Sequence, residues 1–369
     1  MIESLKTDLT SWEIGPYHAA LPGPLRLYLK LDGEVIISGE VETGFLHRGL
    51  EKAMERHPWP SLMVYADRVD PEGAAFGELA FCEAVEEIAN VQVPPRAARI
   101  RLVLCELNRV AAHLGYVVRV ARAVGSETMI HFVLRDREKI LDLFELLSGA
   151  RFSFNFMKLG GVRSDITEGF IERVMDTCHM IQVRLKEYND LFTFNHAFLE
   201  RMTGIGQLSA ELARARGVTG PNARACGIHF DVRKEHPSTG YDQMDFEVPL
   251  EGKNGMGDAH DRFLVRLREI AQSVEILKHA LDEVPSGEIH RGERIAIPAG
   301  ESYSRVESSR GLLGCHVVSD GKTCPSRVQF RAASLAHLSV TPSLLVGSRI
   351  EDLSVILASL DLGIAEADR

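Results

Sequence analysis

Three polar residues of one segment have the types and the spacing that could support chemistry. Glu106, Arg109 and His113 are three and four residues apart, so a helix would place a carboxylate, a guanidinium and an imidazole on one face. These groups could bind an ion or transfer a proton. Because charged residues on helices are usually exposed, we instead expect a solvated face with one ion pair.

Two further segments concentrate polar groups. Asp67, Arg68, Asp70 and Glu72 precede a predicted helix, whose dipole favours acids near its first turn, so helix capping is sufficient to explain them. Residues 44–49 (GFLHRG) place His47 and an arginine between glycines, which predicts a loop that approaches another part of the molecule closely. Neither segment defines a reaction by itself.

Several common kinds of site are missing from the sequence. There is no GxSxG nucleophile motif and no HExxH metal motif. The six cysteines form no CxxC pair, and the two that are nearest in sequence are Cys315 and Cys324, so neither a zinc ribbon nor an iron–sulfur ligand set of the usual spacing is present. No glycine-rich segment follows a strand in the manner of a phosphate-binding loop. We therefore expect this chain to bind no metal and no cofactor of its own.

The elements that would position these residues belong to an α+β fold. Residues 25–31 alternate between leucine and polar positions and are followed by Asp32-Gly33 and EVIISGEV, which predicts an N-terminal β-hairpin. Apolar residues with helical spacing predict a central helical bundle. Its helices are expected at residues 72–90, 95–124, 136–148, 168–188, 209–216 and 258–282.

The C-terminal part returns to strand-like sequence. GLLGCHVV and SRVQFRA, separated by a turn-rich segment, predict a second β-hairpin, and residues 350–360 predict a terminal helix. We divide the chain into an N-terminal β-rich region (1–60), a helical bundle core (61–285) and a C-terminal hairpin with its helix (286–369).

Composition excludes several classes of protein. The chain has 369 residues, 45% of them hydrophobic, and a net charge of −10, which is typical of a globular protein and unfavourable for binding nucleic acid. No stretch approaches the roughly 20 apolar residues that cross a bilayer, and the N-terminus does not resemble a signal peptide. We expect a cytoplasmic setting with no direct membrane span.

Separated stretches along the whole chain resemble one family, the large subunit shared by respiratory complex I (its D, or 49-kDa, subunit) and the membrane-bound energy-converting (group 4) nickel–iron hydrogenases. The matching stretches include GPYHAALPGP at 15–24, GFLHRGLEK at 44–52, GVTGPNARACGIHFDVRKEHPSTGYDQMDFEVP at 217–249 and SSRGLLGCHVVSDG at 308–321. They are collinear and nearly end to end. The resemblance implies the fold of this family.

The sequence departs from the family at the metal ligands of the hydrogenase branch. The four cysteine positions of that branch correspond to Asp70, Gly73, Gly363 and Glu366. A nickel–iron centre needs soft sulfur ligands, which these residues do not provide. The resemblance therefore implies a large subunit without nickel.

The quinone contacts of complex I also differ. Its quinone-binding histidine and tyrosine correspond to Pro22 and Pro71, and the acidic partner of the histidine corresponds to Ala123. A histidine near the terminal cluster of complex I corresponds to Ser153. Because proline and alanine side chains neither donate nor accept a proton, a quinone would bind without its usual contacts. His18 matches the first histidine of the N-terminal motif, and Arg68 matches the arginine beside the terminal cluster.

The resemblance implies a multi-subunit assembly. The expected function is that of a peripheral-arm, D-subunit-like component of a membrane-bound, ion-translocating oxidoreductase of the NADH:quinone type. The expected partners are a small subunit that carries a 4Fe–4S cluster, a C-type subunit of complex I and membrane-arm subunits, at the cytoplasmic face of the membrane. The alternative is a nickel-free subunit of a hydrogenase-related complex, similar to formate hydrogenlyase, with a structural or coupling role and no substrate of its own. In either case the isolated chain is expected to be inactive.

The substituted positions suggest an acidic cavity. If Asp70, Glu72, Asp361, Glu366 and Asp368 line it near Arg68 and Arg369, like charges raise the pKa values of the carboxyls while the arginines lower them. One hypothesis is therefore a cavity that handles protons. The other is that the acids pair with arginines and fill the space of the metal.

Overall fold

The computed structural model describes residues 9–252, 255–292 and 295–369. Part of the glycine-rich segment 252–257 and the first eight residues of the chain lie outside the described residues.

The N-terminal strands form a three-stranded antiparallel sheet, β1 (Thr10–Ile14), β2 (Arg26–Asp32) and β3 (Val35–Glu42), in the order β1-β2-β3. Alternation in β2 buries Leu27, Leu29 and Leu31 on one face, and Gly33, at a φ of 60°, provides the turn into β3. The predicted hairpin is thus confirmed. β1 was not predicted, because its residues are largely exposed and carry little alternation in hydrophobicity.

Helices dominate the rest of the chain. They are α1 (Leu50–Met54), α2 (Met63–Ala66), α3 (Ala74–Ala89), α4 (Pro95–Ala123), α5 (Glu127–Ser148), α6 (Phe170–Tyr188), α7 (His196–Met202), α8 (Ala210–Ala215), α9 (Pro221–Arg224), α10 (Val232–Glu235), α11 (Ala259–Asp282), α12 (Ala333–Leu345), α13 (Leu353–Leu360) and α14 (Ile364–Asp368).

Sequence signals explain where the long helices begin. Pro95 opens α4, where its missing N–H costs no hydrogen bond. Asp258 and Asp261 form a reciprocal capping box at the start of α11. α5 begins at Glu127, earlier than predicted, because the buried residues Met129 and Val133 extend its apolar face.

The predicted central bundle is formed by α4, α5, α6 and α11, which pack against one another. α4 lies in the middle and is buried almost continuously from Arg99 to Ala121. A helix in this position has no solvated face, so its polar side chains must find partners inside the protein.

Short two-stranded ladders connect the helices: β4 (Met157–Lys158) pairs with β5 (Gly161–Val162), and β6 (Leu208–Ser209) pairs with β7 (Met256–Gly257). The C-terminal sheet contains β8 (Ala299–Glu307), β9 (Leu312–Asp320) and β10 (Arg327–Arg331), antiparallel in the order β10-β9-β8. It confirms the predicted C-terminal hairpin and adds β8, whose inward positions include the polar Ser302 and Ser304. This sheet packs on α3.

Two apolar clusters hold the fold together. The larger one contains the bundle, α3 and the C-terminal sheet. The smaller one packs β2 and β3 against α12 and α13, with Leu27 and Leu29 in the same cluster as Leu344 and Leu360. The α+β fold class is confirmed, while the division at residues 60 and 285 stays a prediction. No helix among the described residues is long and apolar enough to cross a membrane.

Candidate functional site

The four positions that correspond to the metal ligands of the hydrogenase branch, Asp70, Gly73, Gly363 and Glu366, lie together; we call them the four-position site. Asp70 and Gly73 precede α3, and the other two residues begin α14. Arg310, from the turn between β8 and β9, extends its guanidinium into this site and donates to the Asp70 carboxylate. A guanidinium therefore provides the positive charge here.

Both glycines leave the space that Arg310 and its partner need. A Cβ at Gly363 would lie 3.0 Å from Arg310 Nε, and a Cβ at Gly73 would lie 2.6 Å from Asp70 Oδ2. Real Cβ atoms do not approach that closely without a shift of their neighbours. The site is packed around the ion pair of Asp70 and Arg310.

A second arginine extends the cluster toward the surface. Arg310 also donates to Glu72 Oε2 (2.6 Å) and to the carbonyl oxygen of Asp361 (3.1 Å). Arg119 of α4 donates to Glu72 Oε1 (2.7 Å) and to Asp361 Oδ1 (2.5 Å). Glu72 and Arg119 are the partly exposed members, with 31% and 25% of their side chains accessible. They form the outer end of the site.

Three arginines keep the buried carboxyl of Asp361 ionised by lowering its pKa. Burial alone would raise the pKa of its carboxyl, but Arg119, Arg310 and Arg266 overcome this effect and hold the pKa well below its ordinary value. Glu72 is likewise held ionised, because the same two arginines that it contacts lower its pKa despite burial. Both carboxyls are therefore anionic at neutral pH.

Glu366 differs from the other acids. It is fully buried; its Oε1 accepts from Ser334 N at 2.9 Å, and its Oε2 has no hydrogen-bond partner among the described residues. Burial, and after it the charge of Asp70, raises the pKa of Glu366 to about 7. Burial also raises the pKa of Asp70, against the opposing effect of Arg310. Glu366 can therefore gain or lose a proton near neutral pH.

The residues present do not fit a nickel–iron centre. The four-position site offers no sulfur donor, two of its positions have no side chain, and the Asp70 carboxylate is bound to Arg310. Among the described parts of the chain, no group of three or more potential metal-binding side chains is assembled anywhere. The charge cluster thus takes the space that a metal centre would need.

Arg68 and Arg369, the two arginines expected near the acids, pair with no carboxylate of the four-position site, although Arg369 donates to the backbone carbonyl oxygen of Glu366 at 3.5 Å. Arg68 is not part of the cluster: it donates to the carbonyl oxygen of Val64 (2.9 Å), and 44% of its side chain is exposed. Arg369 pairs with Glu51 at 2.8 Å. Arg310 and Arg119 are the cations that contact the acids, and neither was selected from the sequence.

Asp368 belongs to a neighbouring contact. Its carboxylate accepts from the backbone N–H groups of Gly44 and Leu46, both at 2.9 Å, and His47 Nδ1 donates to its carbonyl oxygen at 2.7 Å. The 44–49 loop therefore lies against α14, in agreement with the close approach expected from its glycines. His18 is exposed and accepts from the N–H of Ala20 at 3.2 Å.

The capping role predicted for the acids before α3 is also wrong. The residue at the start of this helix is Gly73, which has no side chain, and the N–H of Ala75 in the first turn is bound by Asn108 Oδ1 of α4 (3.1 Å) rather than by one of the preceding acids. Asp70 and Glu72 turn instead to the arginines, because a buried carboxylate gains more from a charged hydrogen-bond partner than from the helix dipole.

The solvated face predicted for α4 is wrong as well. Glu106, Arg109 and His113 are all 0% exposed, because α4 is the central helix of the bundle. Glu106 accepts from Arg109 Nε (3.1 Å) and from the hydroxyl of Tyr241 (2.6 Å). His113 Nε2 lies 2.9 Å from Glu269 Oε2 of α11.

These residues belong to a buried charge network that residues of α9, α10, α11 and β8 complete. Its members are Glu106, Arg109, His113, Arg224, Asp231, Arg233, Glu269 and Glu307. Arg224 donates to Glu269 (2.5 Å) and to Glu307 (2.8 Å). Each buried charge has at least one opposite partner, which is the condition for keeping such charges in a protein interior. Sequence spacing could not show this, because the partners are more than a hundred residues away from α4.

The positions that correspond to quinone contacts provide no polar side chain. Pro71 is exposed beside the cluster, and Ala123 is the last residue of α4, one helical turn beyond Arg119. A Cβ at Gly23, next to Pro22, would lie 2.8 Å from a side-chain atom of Ile364, so this loop is adjacent to α14. The partly exposed polar side chains beside these positions are those of Glu72 and Arg119.

Comparisons with known proteins agree with this architecture. A family model described as the 49 Kd subunit of respiratory-chain NADH dehydrogenase matches residues 123–295 and 290–369. The D subunit of the NADH-quinone oxidoreductase from Desulforamulus reducens is 39% identical over 367 residues, covering 99% of this chain and 100% of the relative. The D subunit from Carboxydothermus hydrogenoformans is 40% identical over 366 residues, with the same coverage.

One solved structure is also similar along the whole chain. A chain of the membrane-bound sulfane sulfur reductase, described as an archaeal respiratory membrane complex, superimposes with a TM-score of 0.94 at 35% sequence identity. The match covers 99% of this chain and 100% of that one.

Proposed function

Because the chain belongs to the family of the 49-kDa, or D, subunits of respiratory-chain NADH dehydrogenase, we propose that it is a peripheral-arm subunit of an ion-translocating membrane complex. Together with a small subunit that carries a 4Fe–4S cluster, it forms the electron-acceptor cavity of that complex. The observation that carries this proposal is the end-to-end match to D subunits, which leaves no part of their length uncovered. A C-type subunit and membrane-arm subunits complete the assembly, at the cytoplasmic face of the membrane.

The outer end of the cluster supports the position of the acceptor. Glu72 and Arg119 are accessible there, beside Pro71 and one turn from Ala123. Arg119 is held by two carboxylates, and such a fixed guanidinium can donate to a carbonyl or stabilise a developing negative charge on an acceptor. A quinone would thus be held by Arg119 rather than by a histidine and a tyrosine.

A second candidate acceptor has a specific observation in its favour. The three usual quinone contacts are replaced by Pro22, Pro71 and Ala123, and the solved structure that this chain resembles is described as a sulfane sulfur reductase. Reduction of a sulfur chain produces an anion, which the Arg119 guanidinium can stabilise. Unlike a quinone, a sulfur chain has no two ring carbonyls that a proton-donating pair would have to reach. We therefore place a sulfane sulfur compound beside quinone as the acceptor.

The acids in and around the four-position site divide between the space-filling and the proton-handling hypotheses. Asp70, Glu72 and Asp361 are paired with arginines, which favours the space-filling hypothesis for those three. Glu366 has no such partner and titrates near neutral pH, so it is the residue that supports proton handling. The alternative function is a coupling module that binds no substrate. It predicts that the rate of acceptor reduction does not depend on Arg119.

The test uses the intact membrane complex, isolated through a tag on another subunit. We expect this chain to co-purify with an iron–sulfur subunit and the complex to reduce a short-chain quinone or a polysulfide. R119M should lower the rate of acceptor reduction by about tenfold or more, while R349M, at an exposed arginine, should leave it unchanged. Equal rates for R119M and wild type would support the coupling-module role, and a chain that is recovered outside any membrane complex would refute the proposal.

Separate D70A and E366A variants of the same complex decide the proton question. If Glu366 handles protons, E366A should lower the number of ions translocated per electron while acceptor reduction continues. Unchanged coupling in both variants would remove proton handling and leave the space-filling role.

A further inference from the structure

A line of polar side chains joins the outer end of the site to the buried charge network. We call it the polar seam: His113, Tyr116 and Arg119 on α4, and Arg266 and Glu269 on α11. The α4 residues follow one another at three-residue intervals, and so they share a face of the helix. The two helices are directly packed partners in the bundle.

Contacts within the polar seam form two groups, one around Asp361 and Arg266 and one at His113. Arg119 contacts Asp361 at 2.5 Å, and Arg266 Nε lies 3.8 Å from the other oxygen of Asp361. The Arg266 guanidinium stacks over the Tyr116 ring at 4.2 Å from its centre, and His113 meets Glu269 at 2.9 Å. The first group begins at the partly exposed Glu72–Arg119 pair, and helix spacing places the second group next to it, because His113 is three residues from Tyr116 on α4 and Glu269 three residues from Arg266 on α11.

Three atoms of the polar seam lack hydrogen-bond partners among the described residues. They are His113 Nδ1, Tyr116 Oη and Arg266 Nε, and all three residues are 0% exposed. Buried polar atoms are nearly always hydrogen-bonded, to protein or to ordered water. Neighbouring orphan atoms with both donor and acceptor character suit water, which needs two to four polar partners.

We propose that ordered water molecules occupy the polar seam and that, with Tyr116, they form a path that conducts protons from the Glu72–Arg119 end to His113 Nδ1. This inference rests on the proposed function, because reduction of an acceptor at the outer end supplies the charge that draws the proton inward. It assigns the interior of α4 and α11 a transport role beyond that of the acceptor cavity.

The proton balance of the path is simple. One proton enters from solution at the Glu72 carboxylate, each water and the Tyr116 hydroxyl accept one proton and release another, and the last proton binds the lone pair of His113 Nδ1. No electron moves along the path. The product is an imidazolium whose Nε2–H continues to donate to the Glu269 carboxylate.

The charges around His113 set when it can be protonated. Burial lowers its pKa, and the nearby Arg266 and Arg109 lower it further, while Glu269 raises it. Glu269 itself stays ionised because Arg224 and His113 offset the effect of burial on its pKa. His113 is therefore neutral at rest, with Nε2–H facing Glu269 and Nδ1 as an acceptor. Negative charge added at the outer end favours the imidazolium.

Two measurements on the intact complex test this path. Electron microscopy at about 2 Å resolution should show water density within about 3.2 Å of Tyr116 Oη and His113 Nδ1. After a single-turnover reduction of the acceptor, a pH indicator should show proton uptake that Y116F slows by about tenfold or more. Y116F keeps the ring under Arg266 and removes only the hydroxyl.

Y188F is the matched control, because Tyr188 is buried in the same bundle, donates to Asp136 at 2.6 Å and lies outside the polar seam. It should leave proton uptake unchanged. Absence of water density, or equal uptake rates for Y116F, Y188F and wild type, would overturn the path. If the wild-type complex reduces neither quinone nor polysulfide, the proposed function fails instead, and the water density still decides whether the seam is hydrated.

Discussion

Removal of the Arg310 charge should strongly destabilise the fold. R310M keeps an unbranched, flexible side chain but removes the guanidinium, which leaves Asp70, a residue 4% exposed, without its main cationic partner. Breaking a buried ion pair by deleting one partner costs about 3–5 kcal/mol, because the remaining charge is uncompensated. The loss falls at the upper end of this range if Glu72 and the Asp361 carbonyl, which Arg310 also contacts, find no other donor.

The assay is thermal unfolding of the full-length chain by calorimetry. With an unfolding entropy of about 2.1 cal/mol/K per residue, a chain of this length loses roughly 1.3 °C in Tm per kcal/mol, so R310M should unfold about 4–6 °C below wild type. R349M is the matched control, because Arg349 is 66% exposed and its pair with Glu351 is solvated; it should change the free energy of unfolding by less than about 1 kcal/mol.

A double variant separates the charge effect from lost packing. In D70N/R310M the orphaned carboxylate is neutralised, so the double variant should be less destabilised than the sum of the two single variants. Our description of the site would be refuted if R310M unfolded within about 1 °C of wild type, or if the two substitutions were additive.

Two further predictions concern neighbouring positions. Since burial, and after it Asp70, raises the pKa of Glu366 from 4.5 to about 7, the folded state binds the extra proton, and stability falls by roughly 3 kcal/mol as the pH rises through this window. E366Q should lose that slope in urea unfolding between about pH 5 and 8, and an unchanged slope would show that Glu366 is not its source. G77A should lose more than about 2 kcal/mol, because its Cβ would lie 2.2 Å from the carbonyl oxygen of Ala66. G115A, another helical glycine with no atom nearer than 3.6 Å, should be neutral or stabilising in the same unfolding assay.

The elements that could be predicted from sequence are those with a strong local signal. The leucines of β2 alternate, and α4 and α11 carry long apolar stripes, so these elements were identified with nearly correct ends. β8 was not predicted, because Ser302 and Ser304 face inward and break the alternation of apolar and polar residues that indicates a strand. α12 was not predicted because its apolar and polar residues form no stripe with helical spacing, and because it contains Pro342, which is typical of a helix end rather than an interior.

The acids of the site could be located from the sequence, but the arginines that contact them could not. Correspondence with the family located the acids at the four-position site, but it says nothing about which cations reach them. Arg310 and Arg119 lie 240 and 49 residues from Asp70, and their contacts arise only from tertiary packing. The buried state of Glu106 and His113 likewise depends on Arg233 and Glu269, whose positions no helical periodicity can reveal.

The close packing of Gly73 and Gly363 against the ion pair limits the order in which cysteines could be introduced at the four positions. A cysteine introduced first at position 73 would place its Cβ 2.6 Å from Asp70 Oδ2, and one introduced first at position 363 would press on Arg310. Replacing Asp70 first would avoid the clash but would remove one of the carboxylates that Arg310 contacts. Replacement by cysteine at three of the four positions therefore disturbs the Asp70–Arg310 pair, so the effect of each replacement on stability depends on which residues already occupy the other positions.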